Sequence, residues 1–207
     1  MVNEQENKFS SLFIVIEGGD GAGKTTQAEL LKNWLTKQGR DVVLTREPGG
    51  TQLGAQIREI ILHGEYINPK TEALLYAADR AHHVNTKIRP ALENGQIVIS
   101  DRYIDSSIAY QGYGRNLRER VIEDLNVWAT DNLKPDLVIV LDIIPEENMI
   151  KGKKDNIENQ PIEFHKQVRN FFIRKAKNSS NYVVIDAKDT IESIHAKIIS
   201  IVQERLK

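Results

Sequence analysis

Gly18-Gly19-Asp20-Gly21-Ala22-Gly23-Lys24-Thr25 follows the spacing G-x-x-x-x-G-K-T. These residue types at this spacing can hold a chain of phosphates. Glycines let the backbone curl until successive N–H groups point inward at anionic oxygens. Lys24 would reach the outer phosphates, and the Thr25 hydroxyl would ligate a magnesium ion. A helix starting at the loop would aim its positive end at the same anion. The alternative is a glycine-rich turn that holds no ligand, and the flanking sequence argues against it. Residues 11–16 are apolar and largely β-branched, as in a buried strand. Beyond Lys24, the residues Ala28, Leu31, Trp34 and Leu35 recur at helical spacing, and Gly39 ends the run.

The elements that must carry this loop can be read along the chain. Short apolar runs at 12–17, 42–45, 97–100, 137–141 and 182–185 have the character of strands buried on both faces. Helical stretches separate them, including 71–94, 117–130, 163–177 and a terminal helix with Ile191, Ile194, Ile198 and Val202 facing inward. Alternation of this kind predicts an α/β fold: a five-stranded parallel sheet with right-handed crossovers, flanked by helices in three layers. In such sheets ligands bind beyond the carboxyl ends of the strands. The residues after each strand are therefore the candidates for chemistry.

Thr45-Arg46-Glu47-Pro48-Gly49-Gly50-Thr51 follows the second strand and reads as a fixed turn. Arg46 either offers a bidentate fork to phosphate or forms a surface pair with its neighbour. In the helix after it, Tyr76 and Arg80 are four residues apart and share a face. They could hold a flat, hydrogen-bonding base; otherwise Tyr76 is core and Arg80 pairs with Asp79 or a surface carboxylate. His82 and His83 are adjacent and point in different directions, a poor arrangement for metal. Asp101-Arg102-Tyr103 follows the third strand. An acid in that place holds magnesium in phosphate-loop sites, and Arg102 beside it would face the reacting phosphates; the alternative is a helix-capping Asp with a surface Arg. Residues 105–114 add hydroxyls, an amide and an aromatic beside the glycines Gly112 and Gly114. In the next helix, Val121, Leu125 and Trp128 form an apolar stripe, which makes Trp128 a core or interface residue. Lys151-Gly152-Lys153-Lys154 is short and basic, either a solvated loop or a lid that closes on phosphates.

Composition limits the remaining options. The 207 residues carry 28 Lys plus Arg against 29 Asp plus Glu, a net charge of −1. That length suits a single domain over residues 1–207, with 1–8 as a short polar leader and 149–161 as the lid segment. Near-neutral charge gives no electrostatic signal for nucleic acid or an anionic membrane. The absence of cysteine excludes disulfides, thiolate metal sites and cysteine nucleophiles. No apolar run is long enough to span a bilayer, and a cytoplasmic protein is the simplest expectation.

Taken together, these motifs resemble the thymidylate kinase family over nearly the whole chain. The resemblance rests on Glu17 to Thr26, on Thr45 to Thr51, on Leu75-Tyr76-Ala77-Ala78-Asp79-Arg80, on Asp101-Arg102-Tyr103, and on Pro135-Asp136 leading into Leu141-Asp142. It implies the fold of nucleoside monophosphate kinases, a homodimer, and transfer of the γ-phosphoryl group of ATP to dTMP with Mg2+. By motif position, Gly18, Gly19, Asp20, Gly21, Ala22, Gly23, Lys24, Thr25 and Thr26 would hold the ATP phosphates. Asp20 would contact the deoxyribose 3′-hydroxyl. Arg46 and Arg102 would grip the acceptor phosphate, with Arg102 bridging toward the donor; these two, Lys24 and Asp101 form the expected catalytic set. Tyr76 stands where the family usually has a phenylalanine stacked on thymine. Arg80 would hydrogen-bond the base, Ser107 and Gln111 would help read its edge, and Tyr110 would crowd the sugar 2′ position. Thr25 and Asp101 would serve the metal. One departure stands out: relatives with glycine after the loop acid normally carry arginines in the lid. This chain has none between Arg120 and Arg169, and Asn156 takes one such place. Lys151, Lys153 and Lys154 are then the lid's cations.

Three rivals are weighed against this reading. A kinase for another nucleoside monophosphate would share the phosphate loop and differ at Tyr76, Arg80 and Tyr110. A GTP-binding switch would carry Asn-Lys-x-Asp, which the sequence lacks. A catalytically weak paralogue retained for nucleotide binding is the third.

Overall fold

The structure, a computed structural model, describes residues 11–145 and 155–206. Among these, five parallel strands form one sheet in the order β2-β3-β1-β4-β5. The strands are β1 (Leu12–Gly18), β2 (Val42–Arg46), β3 (Ile97–Asp101), β4 (Leu137–Asp142) and β5 (Tyr182–Asp186). The flanking helices are α1 (Lys24–Lys37), α2 (Gln52–His63), α3 (Pro69–His83), α4 (Arg89–Glu93), α5 (Ile104–Ser107), α6 (Glu119–Ala129), α7 (Ile162–Lys177) and α8 (Ile191–Arg205). The expected alternation of strands and helices is therefore present, and both faces of the sheet are covered.

Side-chain alternation along the strands builds two cores. Phe13, Val15, Val98, Val138 and Val140 face one way and pack with Ile57, Ile61, Ile122, Val168, Phe171 and Phe172. Ile14, Ile16, Ile97, Ile99, Ile139 and Leu141 face the other way and pack with Leu31, Leu35, Ile194, Ile198 and Val202. Each face buries apolar surface against helices, which is why these strands read as continuous apolar runs rather than alternating ones. Register then sets the site. Ile16 lies opposite Asp101, Asp101 opposite Arg46, and Gly18 opposite Leu141. The carboxyl ends of the four strands β1 to β4 thus meet at one edge.

Helix termini follow sequence signals. Thr51 caps α2 by accepting from Gly54 N at 2.9 Å, and Asn68 caps α3 by accepting from Thr71 N at 3.0 Å, with Pro69 in the first turn. α1 is different: Gly23 at its N-terminus has φ 86° and supplies no side-chain cap. Its first amides are left for an anion instead.

Three local expectations are refined. The helix read at 71–94 starts at Pro69 and continues through a π-helical stretch, Val84–Ile88, into α4. Residues 104–114 are helical, as α5 followed by the π-helical Ile108–Gly114. The glycines there are close-packing positions: Gly112 is buried, and a Cβ on Gly114 would collide with the Phe164 ring. In α6 the inward face is Ile122 and Asn126, continued by Thr130, whereas Val121 is 57% and Trp128 78% exposed. A buried hydrogen bond from Arg80 to Asn126 draws the polar side of this helix inward and turns the apolar stripe out.

Candidate active site

The phosphate loop runs from the end of β1 into α1. Lys24 lies across it, with Nζ donating to Gly19 O at 2.6 Å. Burial, and then the nearby Arg102 guanidinium, lower its pKa to about 8. Thr25 Oγ1 donates to Asp101 Oδ2 at 2.6 Å, which joins the loop to the end of β3. The other carboxylate oxygen, Asp101 Oδ1, is buried and has no hydrogen-bond partner among the described residues. A hydroxyl beside a carboxylate with one open oxygen fits a hard cation, so Thr25 and Asp101 are suited to magnesium. No group of three or more His, Cys, Asp or Glu among the described residues could hold a metal. Phosphate oxygens and water would complete the shell, which is how magnesium is usually bound beside phosphates.

Arg102 sits over the loop. Its backbone has φ 71°, a left-handed conformation uncommon outside glycine. Its guanidinium donates from Nη1 to Gly18 O and Ser106 Oγ, both at 3.0 Å. From Nη2 it donates to Tyr110 Oη at 3.2 Å and to the Asp20 carboxylate. Tyr110 Oη in turn donates to Asp20 Oδ2 at 2.9 Å, and His165 of α7 lies 4.0 Å from the same oxygen. Burial pushes the Asp20 carboxyl up, but Arg102, Lys24 and the Tyr110 hydrogen bond outweigh it and hold it below its usual range.

On the far side of Arg102, one cavity brings Asp20, Tyr76, Arg80, Ser107, Tyr110 and Gln111 together with Arg102 itself. Arg46 is not part of it. Arg46 is exposed and lines a neighbouring hollow with Thr25, Asp101 and Lys87. The structure thus separates Arg46, beside Thr25 and Asp101, from the residues expected to read the base.

Arg80 is more deeply engaged than the sequence implied. It is 1% exposed. Nε donates to Glu47 Oε2 at 2.6 Å, Nη1 to Ser107 Oγ at 2.8 Å and to Asn126 Oδ1, and Nη2 to Tyr103 O at 2.9 Å. Of the five guanidinium hydrogens, one on Nη2 is left for the cavity. The partner is the buried Glu47, not Asp79 or a surface carboxylate. Burial raises the Glu47 carboxyl, yet Arg80 and His83 more than offset this and lower its pKa. His83 is fully buried between Glu47 Oε1 at 2.9 Å and Thr45 Oγ1 at 2.6 Å, so it belongs to the frame of the site. Asp79 receives Gly49 N at 3.4 Å, and burial pushes its pKa up to about 6. The 45–51 turn is therefore fastened to α3 through three α3 side chains.

Gln111 is fixed as well. Its Nε2 donates to Glu72 Oε1 at 2.8 Å, and Arg115 Nη2 donates to Glu72 Oε2 at 2.9 Å. A carboxylate can only accept here, so the Gln111 amide is oriented with its nitrogen toward Glu72 and its oxygen away from it. Sequence reasoning missed Glu72 and Asn126, and it gave no individual role to Glu17, Glu47 and Ser106 within the stretches that it singled out. Glu47 lies inside a motif already singled out; a polar residue in the inward register of α6 was the available signal for Asn126. Lys151, Lys153 and Lys154 lie outside the described residues. Beyond them, Asp155 and Ile157 line the base-side cavity. The side chain of Asn156 donates to Ile61 O at 3.1 Å and Gly64 O at 3.2 Å, which ties this segment to the end of α2.

The sequence profile described as thymidylate kinase matches residues 16–198. The chain belongs to the thymidylate kinase family. It is 51% identical to the thymidylate kinase of Leifsonia xyli subsp. xyli over 196 residues, covering 90% of this chain and 92% of that one. It is 48% identical to the thymidylate kinase of Bifidobacterium longum over 204 residues, covering 95% and 99%. The crystal structure of thymidylate kinase from Ehrlichia chaffeensis superposes with a TM-score of 0.80 at 34% identity, covering 93% of this chain and 99% of that one. The resemblance read from the motifs is borne out at the level of the family, and so is the phosphate-loop kinase fold.

Proposed function

We propose that the chain transfers the terminal phosphoryl group of ATP to dTMP, giving ADP and dTDP, with Mg2+ held at Thr25 and Asp101. One observation carries the reading. Arg102 donates on one side to Gly18 of the phosphate loop and on the other to Ser106, Tyr110 and Asp20 at the rim of the base-side cavity. A cation in that position spans donor and acceptor phosphates.

Phosphoryl transfer passes through a loose transition state with charge spread over oxygens, so positioning and cations do most of the work. The α1 amides and Lys24 hold the donor phosphates. Arg102 and Arg46 hold the acceptor phosphate from two sides, which keeps it in line with the bond that breaks. Thr25 and Asp101 would hold the magnesium ion, which would supply positive charge to offset the charge developing on the phosphates. The acceptor is an anionic phosphate oxygen, so no strong general base is needed. Tyr76 supplies an aromatic face for the base. The remaining Arg80 hydrogen and the Gln111 oxygen are a donor and an acceptor for its edge, with Ser107 between them. Tyr110, pinned by Asp20 and Arg102, leaves no slack for a 2′-hydroxyl. Residues 149–161 act as a lid, with Lys151, Lys153 and Lys154 as its cations. Closure over the phosphates excludes water and prevents hydrolysis of ATP.

The chain works as one domain and as a homodimer in the cytoplasm. Support for pairing is an apolar outer face: Leu53 and Ile60 on α2, Leu74 on α3, and Val121 and Trp128 on α6 are all exposed. No described helix is long and apolar enough to cross a membrane. Light scattering of wild type and Trp128→Glu tests pairing: a dimer is expected for the first and a monomer for the second. ADP release with ATP and dTMP, with and without Mg2+, tests the reaction. Release that needs both dTMP and the metal is expected; release that ignores dTMP would refute it.

A further inference from the structure

Glu17 ends the apolar run of β1, immediately before the phosphate loop. It is 0% exposed and lies outside the set of residues assigned above to phosphate, metal or base. A carboxylate buried in such a place is expensive unless it is fully hydrogen-bonded. Glu17 Oε1 accepts from Tyr103 N at 2.8 Å and from Ser106 N at 3.2 Å, and Oε2 accepts from Ser106 Oγ at 2.6 Å. Tyr103 follows Arg102 directly, and Ser106 lies in α5, the short helix into which the Arg102 turn leads.

That turn needs an anchor, because Arg102 holds the uncommon φ of 71°. Arg102 N donates to Ile16 O at 3.0 Å, and Ser100 Oγ donates to Arg102 O at 2.8 Å. These fix the start of the turn, and Glu17 fixes its far side. The Ser106 hydroxyl makes the link directional. It accepts from Arg102 Nη1 at 3.0 Å, so its single proton goes to Glu17. The chain of donors therefore runs from Arg102 through Ser106 to Glu17.

We propose that Glu17 is a positioning residue for phosphoryl transfer, holding the strained Arg102 turn and aiming the guanidinium through Ser106. This rests on the reading of Arg102 as the cation that spans the two phosphates. The charged and titratable groups around Glu17 are Asp105 on α5, Arg102 on the turn, Lys24 on α1 and Tyr182 on β5. When Glu17 is ionised both of its oxygens can only accept, which fixes the polarity of the Ser106 hydroxyl that partners Arg102.

Glu17→Gln tests this with little change of shape. The glutamine oxygen can still accept from the two backbone amides. Its NH2 then faces Ser106 and takes away the acceptor that the hydroxyl uses. The expected result is a fall of roughly tenfold to a hundredfold in kcat, with both KM values within about threefold of wild type. In an Arg102→Lys background the same change should cost about twofold or less, because Glu17 acts through the guanidinium. Equal losses in both backgrounds, or a Glu17→Gln kcat within about twofold of wild type, would overturn the proposal. Circular dichroism melts show whether Glu17→Gln folds. If it does not, Ser106→Ala decides: a kcat loss that disappears with Arg102→Lys supports the relay, and an unchanged kcat overturns it. Wild type inactive on dTMP would refute the underlying reading of Arg102, and the proposal with it. An active wild type with insensitive variants refutes the proposal alone.

Discussion

Replacing Arg80 by alanine should destabilise the fold as well as weaken acceptor binding. Arg80 and Glu47 are each 1% exposed at the side chain and 2.6 Å apart. Removing one partner of a buried ion pair leaves the other charge unpaired, which costs about 3–5 kcal/mol. Asn126 Oδ1 and Tyr103 O lose a donor in the same step. A loss of about 4 kcal/mol is therefore expected. For a chain of this length each kcal/mol shifts the melting temperature by about 2–4 °C, so a fall of about 10 °C follows. Urea and thermal unfolding of Arg80→Ala, Arg80→Met, Glu47→Gln and the double variant Arg80→Met with Glu47→Gln measure it. The double variant should cost less than the sum of its single changes, because no buried charge is left alone. A variant with unchanged stability whose only defect is a raised KM for dTMP would show that Arg80 is a substrate contact and not part of the frame.

Other consequences follow from the same geometry. Lys24→Ala should lower kcat by about a hundredfold or more, near 3 kcal/mol, with the melting temperature unchanged; near-normal turnover would remove Lys24 from the site. Glu17 links stability to pH. Its pKa is raised by burial, and then by Asp105, from 4.5 to about 7 in the folded chain. Between those values the folded state keeps a proton that the unfolded state has released. Its stabilising effect is full below pH 4.5 and is lost as pH rises through 7. At 1.36 kcal/mol per unit this amounts to about 3 kcal/mol. The urea midpoint of Glu17→Gln should therefore rise relative to wild type between pH 5 and pH 8, and parallel profiles would contradict it. In the lid, single alanine changes at Lys151, Lys153 or Lys154 should each cost about threefold or less in kcat, and the triple change far more; a triple variant as fast as wild type would leave the lid without catalytic charge.

Much of the fold was legible because parallel strands buried on both faces leave unbroken apolar runs, and each of the five expected strands lies within an observed one. The phosphate loop was legible because its chemistry demands glycines at fixed spacing. The stripe on α6 was not. Its apolar side faces out, because the inward side is set by the Arg80–Asn126 hydrogen bond, a contact 46 residues apart in sequence. The ion-pair partner of Arg80 was hidden for the same reason: a helical face shows that Tyr76 and Arg80 are neighbours, but not that Glu47 is folded beneath them. Glu72 left no local mark and Glu17 showed only as the first residue of a motif, since each acts only through residues brought to it by the fold. Asn156 was read by alignment to an arginine, whereas its side chain serves the carbonyls at the end of α2.

The most direct measurement is the rate of ADP release from ATP and Mg2+ across dTMP, dUMP, dCMP, dGMP and UMP as acceptors. The site predicts the highest kcat/KM for dTMP. A cytosine edge mismatches the donor from Arg80 and the acceptor from Gln111, dGMP brings a two-ring base in place of one ring, and UMP meets Tyr110 with its 2′-hydroxyl. Equal rates on all five acceptors, or a preferred acceptor other than dTMP, would contradict it.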